Sequence, residues 1–327
     1  MLILVTGAAG FIGSHLSHAL LKSGHEVIGL DNLNDYYDVT LKYARLESLQ
    51  KHTGFEFIEG DIADANIYEQ ISRRDNIETI VHLAAQAGVR YSISNPLAYG
   101  HSNLDGHLQI LEFARNLKQS PFLVYASSSS VYGNSTIPPF KEDATVSKPV
   151  SLYAATKLAN EMMSYSYAHL YGLRQVGLRF FTVYGPWGRP DMAYWGFSED
   201  ILENRPIKVF NHGNLRRDFT YIDDIVEGIK RIVEVPAKFA NQDAPHKIYN
   251  IGNNNPVELL DFIEILENAL GKKAIKEMLP MQMGDVYETS ADISALHKDY
   301  GFAPSTNLKD GLKDFANWFL GWKGLGG

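Results

Sequence analysis

Residues 2–13, LILVTGAAGFIG, set a short apolar run directly against three glycines, Gly7, Gly10 and Gly13, and an amphipathic stretch follows at once. A strand that enters a helix through such a turn belongs in a parallel β-α-β unit. Gly7 permits the tight turn, Gly10 lets a ligand approach the backbone, and Gly13 allows the helix to pack closely on the sheet. Together with Phe11 and Ile12 they leave the helix N-terminus with unpaired N–H groups and a positive dipole end, which suits a diphosphate. Asp31 ends the next apolar run, eighteen residues past Gly13, and Asn32 follows it. A carboxylate there accepts from adenosine ribose hydroxyls and repels a 2′-phosphate, so the expected cofactor is NAD rather than NADP.

The alternation continues along the chain. Apolar, β-branched runs predict strands at 2–6, 26–30, 55–59, 78–83, 121–126 and 174–180. Helical periodicity falls between them, at about 11–23, 40–51, 64–74, 101–118 and 151–172. The fold expected is α/β, a Rossmann doubly wound parallel sheet, with ligands at the carboxyl ends of its strands. Asp61 and Ile62, just after the third run, are expected near the adenine. After residue 182 the texture changes to TVYGPWGRPDMAYWG, then helices at 197–204, 223–234 and 256–270 and strands at 206–210, 217–222 and 247–251. The expected division is a cofactor-binding domain over 1–182 and a smaller α/β substrate lobe over most of 183–327, part of which returns to the sheet. The final GWKGLGG reads as a frayed terminus.

A net charge of −8 argues against a general nucleic-acid binder, since nothing neutralises phosphates over a broad surface. It leaves room for a small anion, because a few local arginines override the net field. With no cysteine, thiolate chemistry and disulfides are excluded. No apolar run is long enough to span a membrane and no leader precedes the first strand, so a cytoplasmic protein is expected.

Tyr153 and Lys157 stand at i and i+4 on one helical face. An ammonium near a phenol stabilises the phenolate, which can then take the proton of an alcohol while hydride leaves its carbon. Ser128, just past the strand at 121–126, can donate to the same oxygen. The spacing alone is weak in a chain with 18 tyrosines, and its value comes from its position one helix after a strand ending in serines.

TGAAGFIG, HLAA at 82–85, SSSSVYG at 127–133 and YAATK at 153–157 together resemble the extended short-chain dehydrogenase/reductase, or NAD-dependent epimerase/dehydratase, family. The resemblance spans nearly the whole chain. It implies redox on nucleotide-linked sugars, Tyr153 as proton carrier, Lys157 as phenolate stabiliser and ribose ligand, and Leu83, Ala84 and Ala85 beside the cofactor. It also implies a homodimer through helices 101–118 and 151–172.

Family members that dehydrate sugars carry an acidic pair just before VYG, and those that decarboxylate UDP-glucuronate typically carry a Glu at the place of Ser130. Here Ser128, Ser129 and Ser130 offer no carboxylate, which leaves oxidation at C4, rotation of the keto sugar and return of hydride: a 4-epimerisation. QAGVRYS at 86–92, RFFTVYGPWGRPDMA at 179–193 and NHGNLRRDFTYIDDI at 211–225 are similar to the family's UDP-glucuronate 4-epimerase group. By that pattern Arg189 and Thr182 meet the sugar carboxylate, Arg217 and Arg90 the UDP diphosphate, Asp285 the uridine ribose, and Val209 also contacts the nucleotide. The group acting on UDP-galactose has an Arg where this chain has Gln282 and a lysine where it has Ala87. Alternatives are an epimerase of neutral UDP-glucose or UDP-N-acetylglucosamine, a UDP-glucuronate decarboxylase, and a non-catalytic NAD-binding scaffold. Tyr184, Trp187, Tyr194 and Trp195 read as loop packing, His82 and His101 as structural, and no metal is expected.

Overall fold

The computed structural model describes residues 1–134, 137–235, 244–281 and 286–325. Its first half alternates as the sequence requires: β1 (Leu2–Thr6), α1 (Phe11–Lys22), β2 (Glu26–Asp31), α2 (Thr40–Gln50), β3 (Phe55–Glu59) and β4 (Ile77–His82). Next come α3 (Tyr91–Ser94), α4 (Pro96–Tyr99), α5 (Gly106–Asn116), β5 (Phe122–Ser128), α6 (Leu152–Tyr171) and β6 (Gln175–Phe180). The second half holds β7 (Thr182–Tyr184), α7 (Ala193–Leu202), β8 (Pro206–Val209), β9 (Arg216–Tyr221), α8 (Ile222–Glu234) and β10 (His246–Ile251). It ends with β11 (Pro256–Glu258), α9 (Leu259–Leu270), β12 (Ile275–Met278), α10 (Ser294–Tyr300) and α11 (Leu308–Trp322).

Seven strands form one parallel sheet in the order β10-β6-β5-β4-β1-β2-β3. Both faces are apolar, because alternate residues of each strand point to opposite sides. Ile3 and Val5 of β1 join one core while Leu2 and Leu4 join the other. The order reverses at β1, which opens the crevice between the ends of β1 and β4 where such sheets hold ligands. β10 comes from the second half of the chain and pairs with β6 along its full length, and α8 packs beside α1.

Several elements depart from expectation for local reasons. The stretch 64–74 is two short 3-10 turns, Ala65–Gln70 and Arg74–Asn76, held tight by a 2.6 Å bond from the Tyr68 hydroxyl to the Ile62 carbonyl. A π-helical turn, Gly100–Asp105, precedes α5. Its extra residue swings Asn103 inward, where it accepts from Gln86 N at 2.8 Å and donates to Thr156 Oγ1 at 3.0 Å. Residues 256–258 pair antiparallel with β9 instead of starting the helix, and α10 and α11 carry no expectation from the sequence. The GWKGLGG tail is not simply frayed: α11 runs to Trp322, whose ring lies 5.6 Å from Trp187, with Trp318 at 5.2 Å from the same indole.

Candidate functional site

The site starts where β1 ends. Gly7 turns with φ +72°, and its N–H donates to the Leu30 carbonyl at 2.7 Å. A Cβ on Gly13 would sit 2.1 Å from the Gly7 carbonyl oxygen, and one on Gly7 would sit 2.8 Å from Ala84 N. Both contacts are forbidden, so only glycine lets α1 approach so closely. The first turn of α1 has no side-chain cap and no acidic residue, which leaves its N–H groups and dipole facing the cleft.

Asp31 is buried, and its carboxylate is fixed by Ala9 N at 3.1 Å and Leu33 N at 2.9 Å. Further lone pairs remain to accept from hydroxyls. Asp61 accepts from Ala63 N at 2.8 Å, His101 at 3.1 Å and Asn32 at 3.3 Å. Burial raises the Asp61 pKa, but these hydrogen bonds outweigh it and hold the group below the usual carboxylate value. His82 is buried, and its Nδ1 meets Thr6 Oγ1 at 2.8 Å, a structural role. Among the described residues no group of three acidic or histidine side chains could hold a metal.

The reacting end lies between β5 and α6. Ser151 caps α6 by accepting from Ala154 N at 3.1 Å, and the helix presents Tyr153 and Lys157 one turn apart. Lys157 is buried, which lowers its ammonium to about 8, and it donates to the Ala126 carbonyl at 2.9 Å. Burial raises the Tyr153 phenol above its ordinary value, opposed by the Ser128 hydroxyl and the Arg189 charge. Ser128 Oγ accepts from Ser130 N at 3.2 Å and donates to Ser130 Oγ at 3.1 Å. Beneath it, Ser127 donates to Glu161 at 2.5 Å, and Arg179 grips Glu161 at 2.9 and 2.8 Å with both side chains buried.

One cleft is lined by Gly7, Gly10, Phe11, Ile12, Gly13, Asp31, Asn32, Ile62, Leu83, Ala84, Ala85, Ser128, Tyr153, Lys157 and Arg189. Ser129 and Ser130 lie beyond its walls in the 3-10 turn after β5, and Thr182 stands at the start of β7. Arg90 precedes α3, with its guanidinium 5.4 Å over the Phe210 ring. The Val209 side chain is buried in the core, and Arg217 on β9 donates to the Arg216 and Tyr287 carbonyls. Asp285 lies outside the described residues. Tyr184, Tyr194 and Trp195 are buried packing groups.

The sequence reading missed Tyr36, Tyr37 and Lys42 in the same cleft, Asp191 behind it, and Arg45. The signal for the two tyrosines was the polar, aromatic NLNDYYD run directly after Asp31. Arg45, buried on α2, donates to the Trp187 and Gly188 carbonyls at 2.5 and 2.8 Å and so holds the loop that carries Arg189.

A doubly wound sheet with a glycine turn, a buried carboxylate at the end of β2 and a Tyr–Lys pair in one cleft is the arrangement of a dinucleotide-dependent enzyme. Residues 3–252 match the NAD dependent epimerase/dehydratase family, and the chain belongs to it. It is 50% identical to Protein CapI of Staphylococcus aureus over 98% of both chains. It is 47% identical to UDP-glucuronate 4-epimerase 2 of Arabidopsis thaliana, over 99% of this chain and 77% of that one. A UDP-glucuronic acid 4-epimerase from Bacillus cereus, solved with UDP-glucuronic acid and NAD, superposes with a TM-score of 0.90 at 36% identity, covering 98% of this chain and 100% of that one.

Proposed function

We propose that this enzyme interconverts UDP-glucuronate and UDP-galacturonate by 4-epimerisation, with NAD held through the cycle. The carrying observation is the cleft's reacting end, where Tyr153, Lys157 and Ser128 meet Arg189 and the Ser128–Ser130 run supplies no carboxylate for elimination or decarboxylation. The UDP-glucuronate 4-epimerases among its relatives support the same reading.

The residues fit NAD. The glycine turn brings the start of α1 close against the sheet with its N–H groups towards the cleft, where a diphosphate would bind, and Asp31 on the cleft wall would accept from the adenosine ribose. Gly7 to Gly13 and the start of α1 would hold the diphosphate, Leu83 to Ala85 would flank it, and Lys157 would hold the second ribose through the protons not spent on Ala126. Bound NAD supplies the acceptor and later the donor of the C4 hydride. Tyr153 accepts the C4 hydroxyl proton in the oxidising half and gives it back in the reducing half. Ser128 donates to the same oxygen, and the buried Lys157 charge offsets the phenolate. Arg189 offers charge-assisted donors to the C6 carboxylate, and the Thr182 hydroxyl is assigned to the same group. Arg217, Arg90, Val209 and Asp285 are assigned to the nucleotide. Residues 1–182 carry the cofactor, and most of 183–327 closes over the UDP-sugar. The cytoplasm is the assigned compartment. The second copy of a homodimer is assigned to the exposed apolar face of α5 and α6, at Leu108, Met162 and Tyr165.

The test is incubation with UDP-glucuronate, without added NAD, followed by NMR. UDP-galacturonate formed without release of CO₂ is the expected result. UDP-glucuronate left inert while UDP-glucose epimerises would overturn the assignment. That second reading, a neutral-sugar epimerase, has one observation in its favour: Asp191 already pairs with Arg189.

A further inference from the structure

Two loops meet at the cleft. One follows β2 and Asp31; the other follows β7 and carries Arg189. Asp191 holds Arg189 at two points, Nε to Oδ1 at 2.9 Å and Nη2 to Oδ2 at 2.5 Å. From the first loop, the Tyr36 hydroxyl donates to the same Oδ2 at 3.3 Å. Tyr36 is seated rather than free: its ring centroid lies 4.7 Å from that of Tyr91. A Cβ on Gly88, where φ is +97°, would sit 2.8 Å from its hydroxyl. Burial and the Asp191 charge push the phenol up to about 12, so it stays a donor across the working pH range. Arg189, Tyr36 and Tyr153 share the cleft wall, with Asp191 and Arg189 side chains only 24% and 26% exposed.

We propose that Asp191 is a positioning residue that aims Arg189 at the sugar, and that the Tyr36–Asp191 hydrogen bond latches the cofactor-side loop to it, coupling nucleotide retention to sugar binding. The proposal rests on the UDP-sugar 4-epimerase reading. A guanidinium fixed by a carboxylate at two points presents its remaining N–H groups in one orientation, which is how a supporting residue sharpens a contact it does not make. The latch has a chemical purpose. Once C4 is oxidised, the keto sugar and the reduced nucleotide must both stay until hydride returns, and an opened loop would let both escape.

The experiment uses the holoenzyme and two near-isosteric variants, Tyr36→Phe and Asp191→Asn. Bound NADH is displaced by excess NAD and its off-rate followed by fluorescence, alongside kcat and KM for UDP-glucuronate. Tyr36→Phe should raise the off-rate and KM together, each about three- to tenfold, the loss expected of one hydrogen bond. Asp191→Asn should lower kcat about tenfold as well, since Arg189 loses its fixed aim. Thermal midpoints should match the wild type, which separates positioning from damage to the fold. An off-rate or KM within twofold of wild type in Tyr36→Phe overturns the latch, and an unchanged kcat in Asp191→Asn overturns the positioning role. Should Asp191→Asn fail to fold, Tyr36→Phe decides alone. A wild type inert to every UDP-sugar refutes the functional reading instead, and the off-rate still reads the latch.

Discussion

At the scale of single residues, Tyr153 is the group to which the proton transfer is assigned. Burial raises its phenol, opposed by the Ser128 hydroxyl and the Arg189 charge, while Lys157 is held on the same helix face by the Ala126 carbonyl. Tyr153→Phe should reduce kcat about 10²- to 10⁴-fold, the usual worth of a positioned acid–base group, with NAD still co-purifying. A smaller loss in steady-state turnover would remove Tyr153 from the proton path. Gly7, Gly13, Asp31 and the Tyr–Lys pair were legible in the sequence because each answers a local demand: a turn, a close approach, a strand end, one helix face. Tyr36 and Asp191 were not. They meet across 155 positions of chain, and no local pattern records such a meeting.

At the scale of elements, the serine end of β5 is aligned with α6 and β6 by one buried ion pair. Arg179 of β6 and Glu161 of α6 are 4% and 2% exposed, and Ser127 of β5 completes the cluster. Taking away the cation strands a buried carboxylate. Arg179→Met should therefore destabilise the fold by about 3–5 kcal/mol, read from the urea midpoint at constant slope. A change under about 1 kcal/mol would show that the pair contributes little. The first six strands were legible because a sheet covered on both faces demands continuous apolar runs. The 3-10 turns at 65–76, the π turn at 100–105 and α11 were not, since tertiary bonds from Tyr68, Asn103 and the Trp187–Trp318–Trp322 cluster decide them.

At the scale of the whole molecule, two imidazoles are sealed in the sheet region. His82 and His107 are 4% and 1% exposed, and burial lowers His82 to about 3 and His107 well below its ordinary value. A folded-state pKa below the unfolded value of about 6.5 means the unfolded chain binds more protons as acid is added. The stability from these two groups is thus whole above about pH 6.5 and is lost as pH falls through that value towards 3. Each contributes at most about 1.4 kcal/mol per pH unit in that window. The urea midpoint should fall between about pH 7.5 and 5, less so in His107→Gln; equal midpoints at both pH values would contradict the account. For the homodimer proposed above, light scattering should give twice the chain mass for the wild type and a single chain mass for Met162→Glu in the exposed α6 face, and a variant keeping twice the chain mass would move the interface elsewhere.

The seventh strand of the sheet, β10, has a consequence in time. It lies at His246–Ile251, yet among the described residues its only sheet neighbour is β6, which ends at Phe180. During synthesis the ribosome delivers the glycine turn and the Tyr–Lys helix early, while one flank of the sheet waits for its last member. Until then β6 exposes a row of unpaired N–H and C=O groups, the kind of edge that recruits another chain. A nascent chain stopped near residue 182 would thus hold nearly every group of the reacting centre and still be prone to aggregate.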